Sequence, residues 1–179
     1  MPIKRLNHAV LYVRNAERSS AFYAEVLGFG PATLGAAGAS PIPGVVFLRA
    51  PDSTNDHDLA LFSVGESAAA SPAGRGAVGL YHLAWEVRTL SDLQDHAARL
   101  TAAGALVGAS DHGTTKALYG RDLDGIEFEV MWLVPADRID AAAIEARSRI
   151  EPLDLPAEIE RYGADTEGGV GVSERSFAG

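Results

Sequence analysis

Two histidines and one glutamate carry the first chemical signal in this chain. His8 lies in LNHAVLYV, His82 in LYHLAWEV and Glu129 in IEFEVMW, three apolar runs of strand-like composition. Two neutral imidazoles and one carboxylate are a donor set that holds Fe(II) on one face. The other positions on the metal stay open to a substrate and to dioxygen, and Mn(II) suits the same donors. A histidine alone on a strand is more often a hydrogen-bonded core or surface residue than a ligand. His8 and His82 differ from that case because they occupy equivalent places in an internal repeat. His96, next to Asp95 on the polar side of a helical stretch, reads as a solvated residue without a chemical role.

The repeat appears when Leu6 is aligned with Leu80, an offset of 74 residues. LNHAVLYVR and LYHLAWEVR share a leucine, a histidine two residues on, and alternating apolar positions ending in Val-Arg. Each is followed by a helix-like stretch. The first has Asn15 as candidate N-cap and Gly28 or Gly30 as stop; the second has Thr89 or Ser91 as cap and Gly104 as stop. Ala21, Tyr23, Val26 and Leu27 mark one apolar helical side, and Leu93, Ala97, Leu100 and Ala103 mark the other helix. Strand-like runs follow at 45–50 and 57–63 in the first copy, and at 105–110, 115–120 and 126–132 in the second, with Asp124-Gly125 as a turn. The expectation is therefore a strand, a helix and then further strands, twice over. Small, polar segments at 30–44 and 64–78 read as loops.

Alternate residues of a strand share a face. Ala9, Leu11 and Val13 form one apolar face, as do Leu83, Trp85 and Val87, and Phe128, Val130 and Trp132. These faces suit packing against the helices, which leaves His8, His82 and Glu129 on the opposite faces of three strands. Strands that curl into one concave sheet would let the three converge.

Composition bounds the classes of function. A chain of 179 residues with 47% hydrophobic content can bury a substantial core. With 24 acidic against 15 basic residues, a net charge of -9 disfavours nucleic-acid and anionic-membrane partners. No cysteine is present, which rules out a disulfide framework or thiolate chemistry and suits the cytoplasm. The N-terminal run is interrupted by Arg14 before a signal-peptide core could form, and no stretch has the length of a membrane span.

The stretch DHGTTKALYGRDLDGIEFE (111–129) resembles the signature of type I extradiol ring-cleavage dioxygenases in the vicinal oxygen chelate (glyoxalase/bleomycin resistance/dioxygenase) superfamily. His112, Leu118-Tyr119, Asp122, Gly125 and Glu129 stand at the signature's spacings, while Ser110 and Leu123 depart from it at positions that bind no metal. HDLALF (57–62) is similar to the histidine-bearing strand of the same family. The resemblance covers 6–132. It implies an α+β fold of two tandem βαβββ modules (about 5–64 and 79–133) forming a curved mixed sheet around a metal site, in a catalytic domain 1–134. It also implies that His8, His82 and Glu129 hold Fe(II), with Mn(II) as the alternative. His57 would be the acid/base. Tyr119 would hydrogen-bond a substrate oxygen, and His112 would sit just outside the metal ligands, facing the other oxygen. The implied reaction opens a catechol-type aromatic diol beside its hydroxyls, and both atoms of O2 enter the product.

Two other readings stay open: a glyoxalase-like lyase or isomerase, and a metal-free binder of small molecules such as antibiotics. Many of the lyases take a fourth ligand from the last strand of the first module, where Leu59, Ala60 and Leu61 have no donor atom. Residues 135–179 form a separate extension with 10 acidic and 5 arginine residues. It reads as a helix over 136–150, an amphipathic Pro-punctuated stretch, and a partly disordered tail after about 163. Its helical part is expected to contribute to a homodimer or higher homo-oligomer, and a truncation at Pro135 that stays dimeric by light scattering would exclude this.

Overall fold

The structure, a computed structural model, describes residues 2–3, 5–32, 42–74 and 76–169. Two compact units emerge, Met1–Ser71 with Asp122–Gly125, and Pro72–Arg121 with Ile126–Gly179. The chain passes from one to the other inside the 64–78 segment.

In the first unit, β1 (Ala9–Val13) buries Leu11 and Val13 and exposes Val10 and Tyr12, the two-residue period expected of a strand with one packed face. Helix α1 (Ala16–Leu27) starts where the Asn15 side chain accepts from Arg18 N at 3.0 Å, and ends at Gly28, whose φ of 77° suits a residue without Cβ. Its buried side is Ser19, Phe22, Tyr23 and Val26, the i, i+3, i+4, i+7 series. Ala21, expected on that side, faces out, because Phe22 completes the helical stripe with far more apolar surface. The short β2 (Gly30–Pro31), β3 (Val45–Arg49) and β4 (Leu59–Ser63) complete a sheet of order β1-β4-β3-β2 in which β1 and β4 run parallel. Strand β2 lies in a segment expected to be loop, and residues 33–41 of that segment lie outside the described residues.

The second unit repeats the plan. Strand β5 (His82–Glu86), helix α2 (Leu90–Ala102), β6 (Leu106–Asp111), β7 (Thr115–Arg121) and β8 (Glu127–Leu133) give a sheet of order β5-β8-β7-β6 with β5 and β8 parallel. Thr89 and Asp92 form a reciprocal capping box at the start of α2, and Leu90, Leu93 and Leu100 are its buried positions. Ala103 falls beyond the helix and is exposed. The fold is thus mixed α+β, one sheet to each βαβββ copy, and neither sheet closes into a barrel.

The extension is built onto the second unit. The helix expected over 136–150 is divided: a 3₁₀ turn at Ala136–Arg138 is followed by α3 (Ala141–Ala146). Asp140 starts α3 by accepting from Ala143 N at 2.8 Å, and a residue in this extended capping conformation cannot continue a helix through itself. Strand β9 (Glu151–Pro152) pairs with β6, and α4 (Leu155–Tyr162) follows. Residues after 163, expected to lack order, are hydrogen-bonded as far as 169: Trp132 Nε1 donates to Thr166 O at 3.2 Å and Gly169 N to Leu133 O at 3.1 Å. Residues 170–179 lie outside the described residues.

Asp58 ties the 50–58 loop to β4. It is 9% exposed and accepts from Ala50 N at 2.9 Å, Ser53 Oγ at 2.7 Å and Asn55 Nδ2 at 2.7 Å. Burial by itself would raise its pKa, but these donors outweigh burial and hold it below the usual carboxylate value. A depressed folded-state pKa stabilises the fold above the unfolded value of about 3.9, and the stabilisation is lost as pH falls through the folded one. Asp58→Ala is expected to lower unfolding free energy by about 2–3 kcal/mol at neutral pH and to flatten the acid-side decline. Urea denaturation at pH 7 and in acid measures both, and an unchanged midpoint would show that the loop is held by other contacts.

Candidate functional site

In the second unit, the parallel pairing of β5 and β8 sets Ala84 opposite Glu129 and His82 two residues away from that pair. The His82 ring meets the Glu129 carboxylate with Nε2 3.1 Å from Oε2. Glu129 is only 8% exposed. On its other side, the antiparallel register puts Tyr119 of β7 directly across from Glu129, with the phenol 3.5 Å from Oε1. The same phenol lies 3.0 Å from His112 Nε2. Four predicted site residues, His82, Glu129, Tyr119 and His112, therefore form one polar array fixed by strand register. Burial, the Glu129 charge and Tyr81 push the Tyr119 pKa up to about 12, so its hydroxyl keeps its proton near neutrality and is a donor.

In the first unit, His8 and His57 lie together with ring centroids 4.4 Å apart. His8 is exposed, sits just before β1, and has Nδ1 2.8 Å from Asn7 Oδ1. His57 was expected on a strand beginning at 57, but β4 begins at Leu59 and His57 stands on the approach to it. Phe47 packs edge-on against His57 at 5.0 Å. Burial and the neighbouring His8 lower the His57 pKa below its ordinary value, which favours a neutral imidazole able to accept a proton.

The donor chemistry of the second unit fits a divalent metal. Two ligands at about 2.1 Å from one ion, at right angles, stand about 3 Å apart, and His82 Nε2 and Glu129 Oε2 are 3.1 Å apart. Among the described residues, no group of three or more His, Asp or Glu side chains is gathered as a metal-holding cluster. The array provides two of the three expected ligands side by side, and the third, His8, belongs to the first unit.

Residues 5–130 match the family described as the Glyoxalase/Bleomycin resistance protein/Dioxygenase superfamily. The chain belongs to this superfamily. Its members typically bind a divalent metal, and most are enzymes. Among solved structures, a glyoxylase/bleomycin resistance protein/dioxygenase domain from Frankia sp. EAN1pec is similar at 22% identity and a TM-score of 0.57, covering 75% of this chain and 96% of that one. A lactoylglutathione lyase from Agrobacterium tumefaciens is similar at 23% identity and a TM-score of 0.51, covering 73% and 95%. The fosfomycin resistance protein FosX from Listeria monocytogenes is similar at 16% identity and a TM-score of 0.52, covering 73% and 93%. These likenesses establish the glyoxalase fold. No curated protein matches the chain.

Two residues in or near the array were not singled out from the sequence. Tyr81 has its ring 4.6 Å from that of His82 and helps keep Tyr119 protonated. The repeat holds a signal for it, since the 74-residue offset aligns Tyr81 with Asn7, the partner of His8. The other is Lys116, which reads as a polar position on a strand but is fully buried.

Proposed function

We propose that this chain opens a catechol-type aromatic diol by Fe(II)-dependent extradiol cleavage with O2, His8, His82 and Glu129 holding the metal. The observation that carries the reading is the single array of His82, Glu129, Tyr119 and His112, in which a metal-type donor pair adjoins a protonated phenol and an imidazole. When bound, Fe(II) (or Mn(II)) would bring the diol and dioxygen to one centre and pass electrons between them. The remaining chemistry belongs to side chains. His57, biased toward its neutral form, accepts a hydroxyl proton from the diol and returns it later in the reaction. Tyr119 donates its hydrogen bond to a substrate oxygen and steadies charge that develops there. His112 orients that phenol and faces the substrate's other oxygen. The diol and O2 combine without loss of atoms, so the ring-opened product retains both oxygens.

Anaerobic purification, loading with Fe(II), and a catechol panel followed by absorbance and oxygen uptake test this. The expected result is a yellow ring-fission product with one O2 consumed per diol, absent in His82→Ala. Stoichiometric metal with neither colour nor uptake would favour a lyase or isomerase. No metal and no uptake would favour a small-molecule binder.

A further inference from the structure

The superfamily match ends at residue 130, yet α3 of the extension packs on Gly113 in the turn that carries His112, and Glu158 of α4 reaches Lys116 of β7 just after it. Lys116 of β7 is 0% exposed, and its Nζ lies 2.6 Å from Asp111 Oδ1 and 2.8 Å from Glu158 Oε2 of α4. The Glu158 contact is an ion pair out of line for a hydrogen bond. Asp111 Oδ1 also accepts from Gly113 N at 2.7 Å, so one carboxylate oxygen spans the backbone on both sides of His112. His112 N donates to Thr115 O and Thr114 N to His112 O, each at 2.9 Å, which closes the turn. From above, α3 seats on Gly113 so closely that a Cβ there would overlap Ala143 O and come within 2.9 Å of Ala146 Cβ. Gly113 also has φ of 74°, so the turn and its cover both require glycine.

A buried ammonium needs its partners, because leaving it unpaired away from water is costly. Lys116 therefore cannot keep its place unless Asp111 and Glu158 keep theirs. We propose that the C-terminal extension is part of the site, with Glu158, through Lys116 and Asp111, acting as a positioning residue that holds His112 against Tyr119. The proposal deepens the reading above, since it rests on His112 and Tyr119 being the proton-handling pair. It assigns to α4 a role in setting the His112–Tyr119 contact, beyond that of covering apolar surface.

The test uses the full chain and reads the His112 ring by ¹⁵N NMR, assigned through His112→Gln, so it needs neither metal nor substrate. Tyr119→Phe sets the scale by removing the phenol that His112 meets. Glu158→Gln is expected to move the His112 Nε2 resonance by at least half of that displacement, with the His8 and His57 resonances unmoved. The double variant Lys116→Met with Glu158→Leu replaces the ion pair by apolar contact, a change that buried pairs tolerate, and it should also move His112 by freeing Asp111. A folded Glu158→Gln or double variant whose His112 resonances stay at their wild-type positions would overturn the proposal. With a catechol that the enzyme opens, kcat should fall in Glu158→Gln while KM holds. If no catechol is opened, the ring resonances still decide the positioning question separately.

Discussion

Glu129→Ala is expected to lose bound Fe(II) and to reduce ring cleavage by more than about 10³-fold, beyond the roughly 10–100-fold typical when a metal site loses an outer partner. Glu129 brings the negative charge of the proposed ligand set, and its carboxylate joins His82 on one side to Tyr119 on the other. Alanine removes both connections at once. The change also leaves His82 Nε2 without the oxygen 3.1 Å away. Metal analysis after Fe(II) loading and gel filtration, together with oxygen uptake, measures the effect. An Glu129→Ala protein with one iron per chain and uptake near wild type would remove Glu129 from the ligand set. The proposed triad would fall with it.

The repeat was legible because its marks are local. The 74-residue offset that aligns His8 with His82 carries β1 onto β5, and the parallel pairings correspond, with β4 falling on β8 at an offset of 69: Ala9 stands opposite Leu59 as Leu83 stands opposite Phe128. Following those registers one residue on, the counterpart of Glu129 is Ala60, and Asp58 is the counterpart of Glu127. The first copy therefore offers a methyl group where the second offers a carboxylate. Asp58, the nearest carboxylate, is occupied by Ala50 N, Ser53 and Asn55. Strand β4 itself carries no carboxylate that could act as a fourth ligand of the lyase type. The caps were equally legible, since Asn15, Gly28 and the Thr89–Asp92 box act within a few residues of themselves.

What stayed hidden depends on distant packing. Lys116 alternates correctly for a strand, but nothing nearby in sequence announces that α4, some forty residues later, will bury it. The apolar positions of 136–150 support one long helix by periodicity, and Asp140 divides it through a cap whose strength depends on tertiary context. His57 sits in an apolar run that reads as strand from its first residue, whereas Asp58 turns back to the 50–55 loop and delays the strand to Leu59. The signature residues Asp122 and Gly125 acquire a physical reason only in three dimensions. Tyr23 donates to Asp122 at 3.1 Å, and Gly125, at φ of 81°, closes the turn between β7 and β8 onto Asp122 O. That turn fixes the register in which Tyr119 faces Glu129.

Tyr119→Phe removes a single oxygen from the array and so isolates its chemistry from the metal's. The donor pair His82 and Glu129 remains, so bound iron should be retained, in contrast to Glu129→Ala. The ring still fills its place on β7, and the lost phenol contacts are partly buried, so stability should change by only about 1 kcal/mol. The reaction loses a donor aimed at a substrate oxygen, and removal of one such donor costs roughly 10²–10³-fold in kcat. Because that hydrogen bond strengthens as charge develops, KM for the diol should change little. Tyr119 holds its proton well above neutral pH, so the wild-type rate should show no alkaline limb from this group in the pH range where the protein is handled. Steady-state kinetics with a saturable catechol, alongside iron content, separates the cases. A kcat within a few-fold of wild type would assign Tyr119 to packing alone, and the hydrogen bond to the substrate oxygen would then have to be sought at His112. A parallel loss of iron and rate would instead make Tyr119 a support for Glu129, acting through the 3.5 Å contact between them.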